Sequence, residues 1–250
     1  MTTTPLLFHN DRLHALWVVP AAPPRAGVVL LSPLLDEKRC AHRALVSGAR
    51  ALAAAGVAVL LPDLTGTGNS AGQLAEATVP RWVDDIHAAM AFVAGRVEAP
   101  PILIGCRAGA LLAVEALAHG AAPSRLLLLH PVLAGKSYLS QLKMRRKIQT
   151  ELTGGEAPVL GAHELDGEDL SPTLWDAIAA LALPATLPAP PTRLLQCAHA
   201  EKLLTEYARL SERWGDGLIT RPLICEPFWT PHTPSIYAAL AAALVEEVLA

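Results

Sequence analysis

From residue 26 onward, short continuous apolar runs alternate with longer segments of helical period. The apolar runs at 27–31, 57–61, 101–104, 125–129, 192–197 and 219–225 have the character of parallel strands buried on both faces. The segments between and after them, at 42–55, 82–97, 107–119, 203–214 and 234–249, predict helices that cross over the sheet. Ahead of this alternation, apolar stretches at 6–9 and 13–19 flank Asn10-Asp11 and predict a hairpin, followed by a proline-rich linker at 20–24. The pattern as a whole predicts one α/β domain over residues 1–250, with a mostly parallel central sheet and helices on both faces. Residues 133–190 break the alternation with a basic helix-like piece, a turn-rich stretch at 153–155 and a further helix at 171–183. A long insertion at the carboxyl end of a strand commonly covers a site, so these residues are expected to form a lid. No internal repeat is present.

Composition narrows this picture. A chain of 250 residues buries roughly three quarters of its unfolded surface in one core. With 52% hydrophobic and 17% charged residues, disorder is excluded. No apolar run has the ~18 to 20 residues of a spanning helix. The stretch from Met1 to Phe8 lacks the pattern of a secretory signal, which predicts a cytoplasmic location. A net charge of -3 gives no reason to expect nucleic acid. The basic cluster Lys143, Arg145, Arg146 and Lys147 reads as a solvated helix face, with an anion or membrane contact as the alternative. Cys40, Cys106, Cys197 and Cys225 have no metal-type spacing and read as free thiols, so neither a metal nor a cofactor is expected.

In an open parallel sheet, ligands bind beyond the carboxyl ends of the strands. That rule selects 32–39, 63–70, Cys106 with Arg107, His130, His199 with Glu201, and 226–232. Within these, Ile102-Leu103-Ile104-Gly105-Cys106-Arg107-Ala108-Gly109-Ala110 reads as a strand turning sharply into a helix, with small residues where backbones must pass closely. This is the context of a G-x-S-x-G nucleophile elbow. The preceding strand is followed by Asp63-Leu64-Thr65-Gly66-Thr67-Gly68-Asn69-Ser70, similar to a D-L-x-G-x-G-x-S loop. In this order the two motifs resemble the α/β-hydrolase superfamily, and the expected fold is an α/β-hydrolase fold with a lid.

The elbow position itself holds Arg107. A guanidinium is protonated at physiological pH and is no nucleophile, so serine-type acyl transfer has no attacking atom there. It can instead grip a carboxylate or phosphate, or pair with an acid of the protein, for which Asp36, Glu37 and Glu226 are the candidates. The two roles are compatible. Cys106 stands beside the elbow, where a helix N-terminus lowers a thiol's pKa, but the residue before the nucleophile position turns its side chain elsewhere, which predicts a buried structural cysteine. In the superfamily's order the acid follows the next-to-last strand and the histidine follows the last. Glu201 and His232 occupy those regions. With His130, which directly follows a strand, they are the candidate catalytic residues, although a structural role is the simpler alternative for each histidine. Arg107, Asp36, Glu37, Leu34, Cys106 and Glu226 are the candidate ligand-binding residues.

A closer resemblance rests on Ser32-Pro33-Leu34-Leu35-Asp36-Glu37-Lys38-Arg39, the glycine-rich loop, the elbow with its arginine, Leu170-Ser171-Pro172-Thr173-Leu174 and Glu226-Pro227-Phe228-Trp229. Together these segments are similar to the exosortase A system-associated hydrolases of the type called hydrolase 2. The chain departs from that pattern at 38–41 and at His232. The resemblance implies that arginine in the elbow is a family feature, and that the setting is bacterial sorting of surface proteins and exopolysaccharide production. Two functions follow. One is a non-catalytic or weakly catalytic protein that holds an acyl or anionic ligand over Arg107. The other is an ester or thioester hydrolase in which Arg107 stabilises developing charge while water, activated by His130 or His232, attacks. A structural role in an assembly finds no specific surface in the sequence, and the oligomeric state is left open.

Overall fold

The computed structural model describes residues 1–153, 163–165, 167–231 and 237–250. Its eight-stranded sheet contains β1 (Thr2–Phe8), β2 (Leu13–Val19), β3 (Ala26–Leu31), β4 (Val57–Pro62), β5 (Ile102–Cys106), β6 (Arg125–Leu129), β9 (Thr192–Ala198) and β10 (Leu218–Ile224). The strand order is β1-β2-β4-β3-β5-β6-β9-β10. The β2 strand runs antiparallel to β1 and β4, and all other pairs are parallel. Helices α1 (Leu35–Ala54), α2 (Val79–Ala94), α3 (Gly109–Ala118), α6 (Thr205–Trp214) and α7 (Ala238–Leu249) cover the sheet. Between β6 and β9 lie α4 (Gly135–Thr153), the two-stranded β7 (Glu164–Leu165) and β8 (Glu168–Asp169), and α5 (Pro172–Ala180). No described helix is long and apolar enough to cross a membrane.

The uninterrupted hydrophobicity of the central strands has a direct structural cause. Successive side chains point to opposite faces, and both faces are covered. Val29, Leu31, Leu103, Leu126 and Leu128 pack with α2 and α3 in one core, while Val28, Leu30, Ile104, Leu127 and Leu129 pack with α1 and α7 in the other. This is the expected α/β-hydrolase fold.

Several boundaries differ from those expected. Helix α1 begins at Leu35, seven positions before the 42–55 segment, because Asp36 and Glu37 occupy its first turn, where carboxylates meet the positive end of the helix dipole. That charged stretch has the look of a loop in sequence. Helix α2 likewise starts earlier, capped by the Thr78 hydroxyl, which accepts from the Arg81 N–H at 3.2 Å, with Pro80 in its first turn. The β5 strand extends through Cys106, and α3 starts at Gly109, so Arg107 lies outside the helix predicted for 107–119. Residues 154 and 155 of the turn-rich stretch, and residues 234–236 of the last predicted helix, lie outside the described residues.

The turn from β5 into α3 depends on two close approaches. A Cβ on Gly105 would lie 2.5 Å from the Ala110 Cα, and one on Gly109 would lie 2.5 Å from the Ser32 carbonyl oxygen. Both obstacles are backbone, which no rotamer change relieves. Replacing Gly109→Ala is therefore expected to destabilise the chain by about 2 kcal/mol. A urea melt with an unchanged midpoint would show that the turn is looser than this packing requires.

Candidate functional site

Arg107 stands at the end of β5 with φ 54°, in the left-handed region that costs a non-glycine residue on the order of 1 kcal/mol. The strain is held by hydrogen bonds on both sides. Arg107 N–H donates to the Leu129 carbonyl at 3.0 Å, and the Arg107 carbonyl accepts from Ala110 N–H at 3.0 Å and Val132 N–H at 3.3 Å. Two other non-glycine residues with positive φ end neighbouring segments: Leu35, at 56°, after β3, and His130, at 41°, after β6. Three strained positions thus meet at the carboxyl edge of the sheet, which is where such strain concentrates in proteins with a site to shape.

Each of them positions part of one cluster. The turn through Leu35 starts α1 and carries Glu37 inward, where it is 1% exposed. Arg107 is 8% exposed. Its Nε and Nη2 donate to Glu37 Oε2 and Oε1, each at 3.2 Å, in a side-on two-bond pair. Its Nη1 makes a long 3.5 Å contact to the His130 carbonyl, and its Cζ lies 4.8 Å from the Trp229 ring centroid. Burial alone would lower the Arg107 pKa, but the charge and hydrogen bonds of Glu37 outweigh it and raise it. From α4, Arg145 Nη1 donates to Glu37 Oε1 at 3.4 Å, and the buried Tyr138 hydroxyl donates to the Leu34 carbonyl at 3.0 Å.

The other acids named as possible partners are engaged elsewhere. Asp36 pairs with Arg39, and the exposed Glu226 lies 3.7 Å from His199. Only Glu37 of the three reaches Arg107. Leu34 is buried and lines a cavity of about 80 Å³ together with Pro33, Leu64, Thr67, Trp82 and Glu168. Arg107 does not line that cavity, because its guanidinium is turned onto Glu37 and Trp229. Cys106 points into the α1 and α7 core and is fully buried. Burial, chiefly, pushes its thiol far up, which is the opposite of what a nucleophilic cysteine needs.

Of the candidate catalytic residues, His130 and Glu201 are not assembled into a relay. His130 is 8% exposed, its Nδ1 accepts from the Cys197 backbone N–H at 3.2 Å, and its ring packs between Tyr207 and Trp229. Burial and the adjacent Arg107 charge lower its pKa to about 3. The ring is accordingly neutral with its proton on Nε2. Glu201 is exposed and has no hydrogen bond or ion pair to His130 or Arg107. His232 lies outside the described residues. The described residues contain no group of three or more metal-ligating side chains.

Tyr138 and Tyr207 are cluster members not named from the sequence, while Arg145 was named only within the basic cluster and Trp229 only within the 226–232 stretch. For α4 a signal existed, since Tyr138, Leu142 and Arg145 are spaced i, i+4, i+7 and so share a helix face with buried residues. The basic stretch masked it.

A family model described as Serine aminopeptidase, S33, matches residues 22–171, from the linker before β3 through the cap of α5. The chain belongs to this family of α/β hydrolases. Similar solved structures include Est1E from Butyrivibrio proteoclasticus with ferulic acid bound, at 18% identity and TM-score 0.63, covering 95% of this chain and 94% of that one. Another is XC6422 from Xanthomonas campestris, described as an α/β serine hydrolase without lid, at 17% identity and TM-score 0.59 over 99% and 93% of the two chains. A third is an α/β serine hydrolase homologue from Coxiella burnetii, at 14% identity and TM-score 0.59 over 99% and 97%. At these identities the likeness concerns the fold. No curated protein matches the chain significantly. Within this S33-family chain, the turn from β5 into α3 has an arginine at its centre.

Removing one partner of a buried pair leaves an uncompensated charge. The variant Arg107→Ser is expected to lose about 3 kcal/mol, at the low end of such losses because Arg145 still faces Glu37. The triple variant Arg107→Met, Glu37→Leu and Arg145→Met, which leaves no member of the group charged, should recover most of that loss in the same urea melts. A single variant as stable as its parent would refute the pairing as a structural constraint.

His130 gives a pH signature of definite sign. An unfolded histidine takes up a proton below about 6.5, whereas folded His130 resists until about 3. The unfolded state therefore binds more protons in that window, and stability falls as pH drops from 6.5 towards 3. Asparagine tolerates positive φ and can accept from Cys197 N–H, so His130→Asn should flatten the slope by about one proton. An equal slope in parent and variant would place the titration elsewhere.

Proposed function

We propose that this S33-family chain does not perform serine acyl transfer, and that it binds a small acyl or anionic ligand at the carboxyl edge of its sheet, with residues 133–190 acting as a lid. The observation that carries this reading is the locked pair of Arg107 and Glu37 at the elbow, where the chemistry of the fold requires an activated hydroxyl. A guanidinium held by the elbow is suited to anion recognition, not to attack. The lid assignment is supported by α4, whose Tyr138 and Arg145 bond to Leu34 and Glu37. The proposed ligand-binding residues are Arg107, Glu37 and Leu34; Asp36, Glu226 and Cys106, also expected there, are turned to Arg39, to His199 and into the α1 and α7 core. The resemblance to the exosortase A system-associated hydrolase 2 family supplies the proposed setting, a cytoplasmic step in bacterial surface-protein sorting or exopolysaccharide production.

Hydrolysis by an activated water is the competing mechanism, and the state of His130 opposes it. A base must offer a lone pair, yet Nδ1 is committed to Cys197 N–H and Nε2 carries the proton. Est1E is described with ferulic acid bound, a ligand of the acid class proposed here.

The test is direct. The purified protein should resist a fluorophosphonate probe and leave a panel of short and long acyl esters unhydrolysed above background, and Arg107→Ser should gain no esterase activity, since a hydroxyl alone does not restore a relay. Stoichiometric labelling lost on changing Ser32→Ala, or ester turnover by the parent chain, would overturn the proposal.

A further inference from the structure

We infer that Arg145 and Arg107 together form a receptor for the carboxylate head of a small organic acid, with Glu37 as the fixed counter-ion between them. This rests on the binding-protein reading above and narrows its ligand to a monoanion.

Charge balance is the first ground. Glu37 is nearly fully buried and accepts from both guanidiniums, so one negative charge faces two positive ones. Two nearby acids are occupied by other cations, Asp36 by Arg39 and Glu164 by Arg146. His130, which touches Arg107 through its carbonyl, is neutral and contributes no charge. Within the hydrogen-bonded group of Arg107, Arg145 and Glu37, the positive charges therefore exceed the negative by one.

The second ground is an orphaned donor. Arg145 Nη2 is buried and has no hydrogen-bond partner among the described residues. A buried cationic N–H without an acceptor is unfavourable by more than a neutral one. Arg107 Nη1 is only slightly better served, by the 3.5 Å contact to the His130 carbonyl, which is long for a hydrogen bond. One guanidinium comes from the elbow and the other from α4, so both elements present under-used donors around the same carboxylate.

A carboxylate meets both needs. It brings one negative charge and two acceptor oxygens, matching one surplus cation and two under-used nitrogens. A phosphate dianion would overshoot the charge, and a neutral ester would leave it uncancelled. In the adjoining cavity Leu34, Leu35 and Leu64 give an apolar wall for the rest of a short acid, and Lys38 and Glu168 line its polar part.

The experiment is calorimetric titration of the whole chain with hexanoate, with its neutral twin methyl hexanoate, and with inorganic phosphate, at fixed ionic strength. Parent, Arg145→Gln and Arg145→Lys proteins are compared. The parent should bind hexanoate about tenfold or more tightly than either of the other probes, and Arg145→Gln should weaken hexanoate about tenfold or more. Arg145→Lys keeps the charge without the planar fork and should fall between them; it decides the matter if Arg145→Gln does not fold. Undetectable hexanoate binding, or equal affinity in parent and Arg145→Gln, would overturn the inference. Methyl hexanoate or phosphate bound as tightly as hexanoate, without turnover, would also overturn it while leaving the binding-protein reading intact. Turnover of methyl hexanoate by the parent would remove both.

Discussion

A guanidinium carried nine-tenths out of water at the end of the central strand has to find a carboxylate, and the surroundings of Arg107 are arranged by that requirement. Glu37 reaches it because α1 begins seven positions earlier than the apolar pattern suggests, after the left-handed turn at Leu35. The Tyr138 hydroxyl fixes the Leu34 carbonyl just before that turn, and Arg145 holds the other side of the Glu37 carboxylate. The insertion is thereby attached to the sheet through polar bonds aimed at one carboxylate. A pair buried this deeply adds little net stability, since its desolvation offsets its attraction. Its effect is on specificity: with Glu37 in place, a residue at 107 other than a cation leaves the carboxylate only the longer contact from Arg145.

That constraint extends to His130. Its positive φ turns its carbonyl toward Arg107 Nη1 while Nδ1 is spent on Cys197 N–H. Burial comes first in lowering its affinity for a proton, and the Arg107 charge adds to it. His130 follows β6, beside the elbow but not after the last strand, where the superfamily's histidine stands. Here the cation next to it keeps the ring neutral, and a backbone amide takes its free lone pair. Burial and the arginine's charge together thus keep the imidazole beside the elbow neutral.

Much of the fold was legible because its signals are local and redundant. Continuous apolar runs separated by helical segments mark parallel strands, and the glycine-rich loop and the elbow fix their order in space. The elbow could be read because Gly105 and Gly109 are demanded by backbone contacts that no larger residue permits. What escaped was long-range and polar. Residues 36–39 look like a solvated loop, and nothing within that stretch announces that a partner some 70 positions later will draw Glu37 inward. The basic face of α4 looks solvated for the same reason, although Arg145 turns inward on the side that carries Tyr138. Asp36, Glu37 and Glu226 were equivalent partners for Arg107 on charge alone, and only the turn at Leu35 separates them.

The persistence of strain at Arg107 is informative in itself. A residue needed only to neutralise Glu37 could sit on an unstrained helix, as Arg145 does. The left-handed conformation at 107 costs on the order of 1 kcal/mol, and its structural result is that the side chain leaves the strand at the sheet's edge instead of entering either core. In a serine hydrolase that geometry presents a nucleophile to substrate. Here the same backbone presents a guanidinium, with Trp229 against it and a second guanidinium across the shared carboxylate. The turn displays a guanidinium, and what that guanidinium holds within the protein is the Glu37 carboxylate.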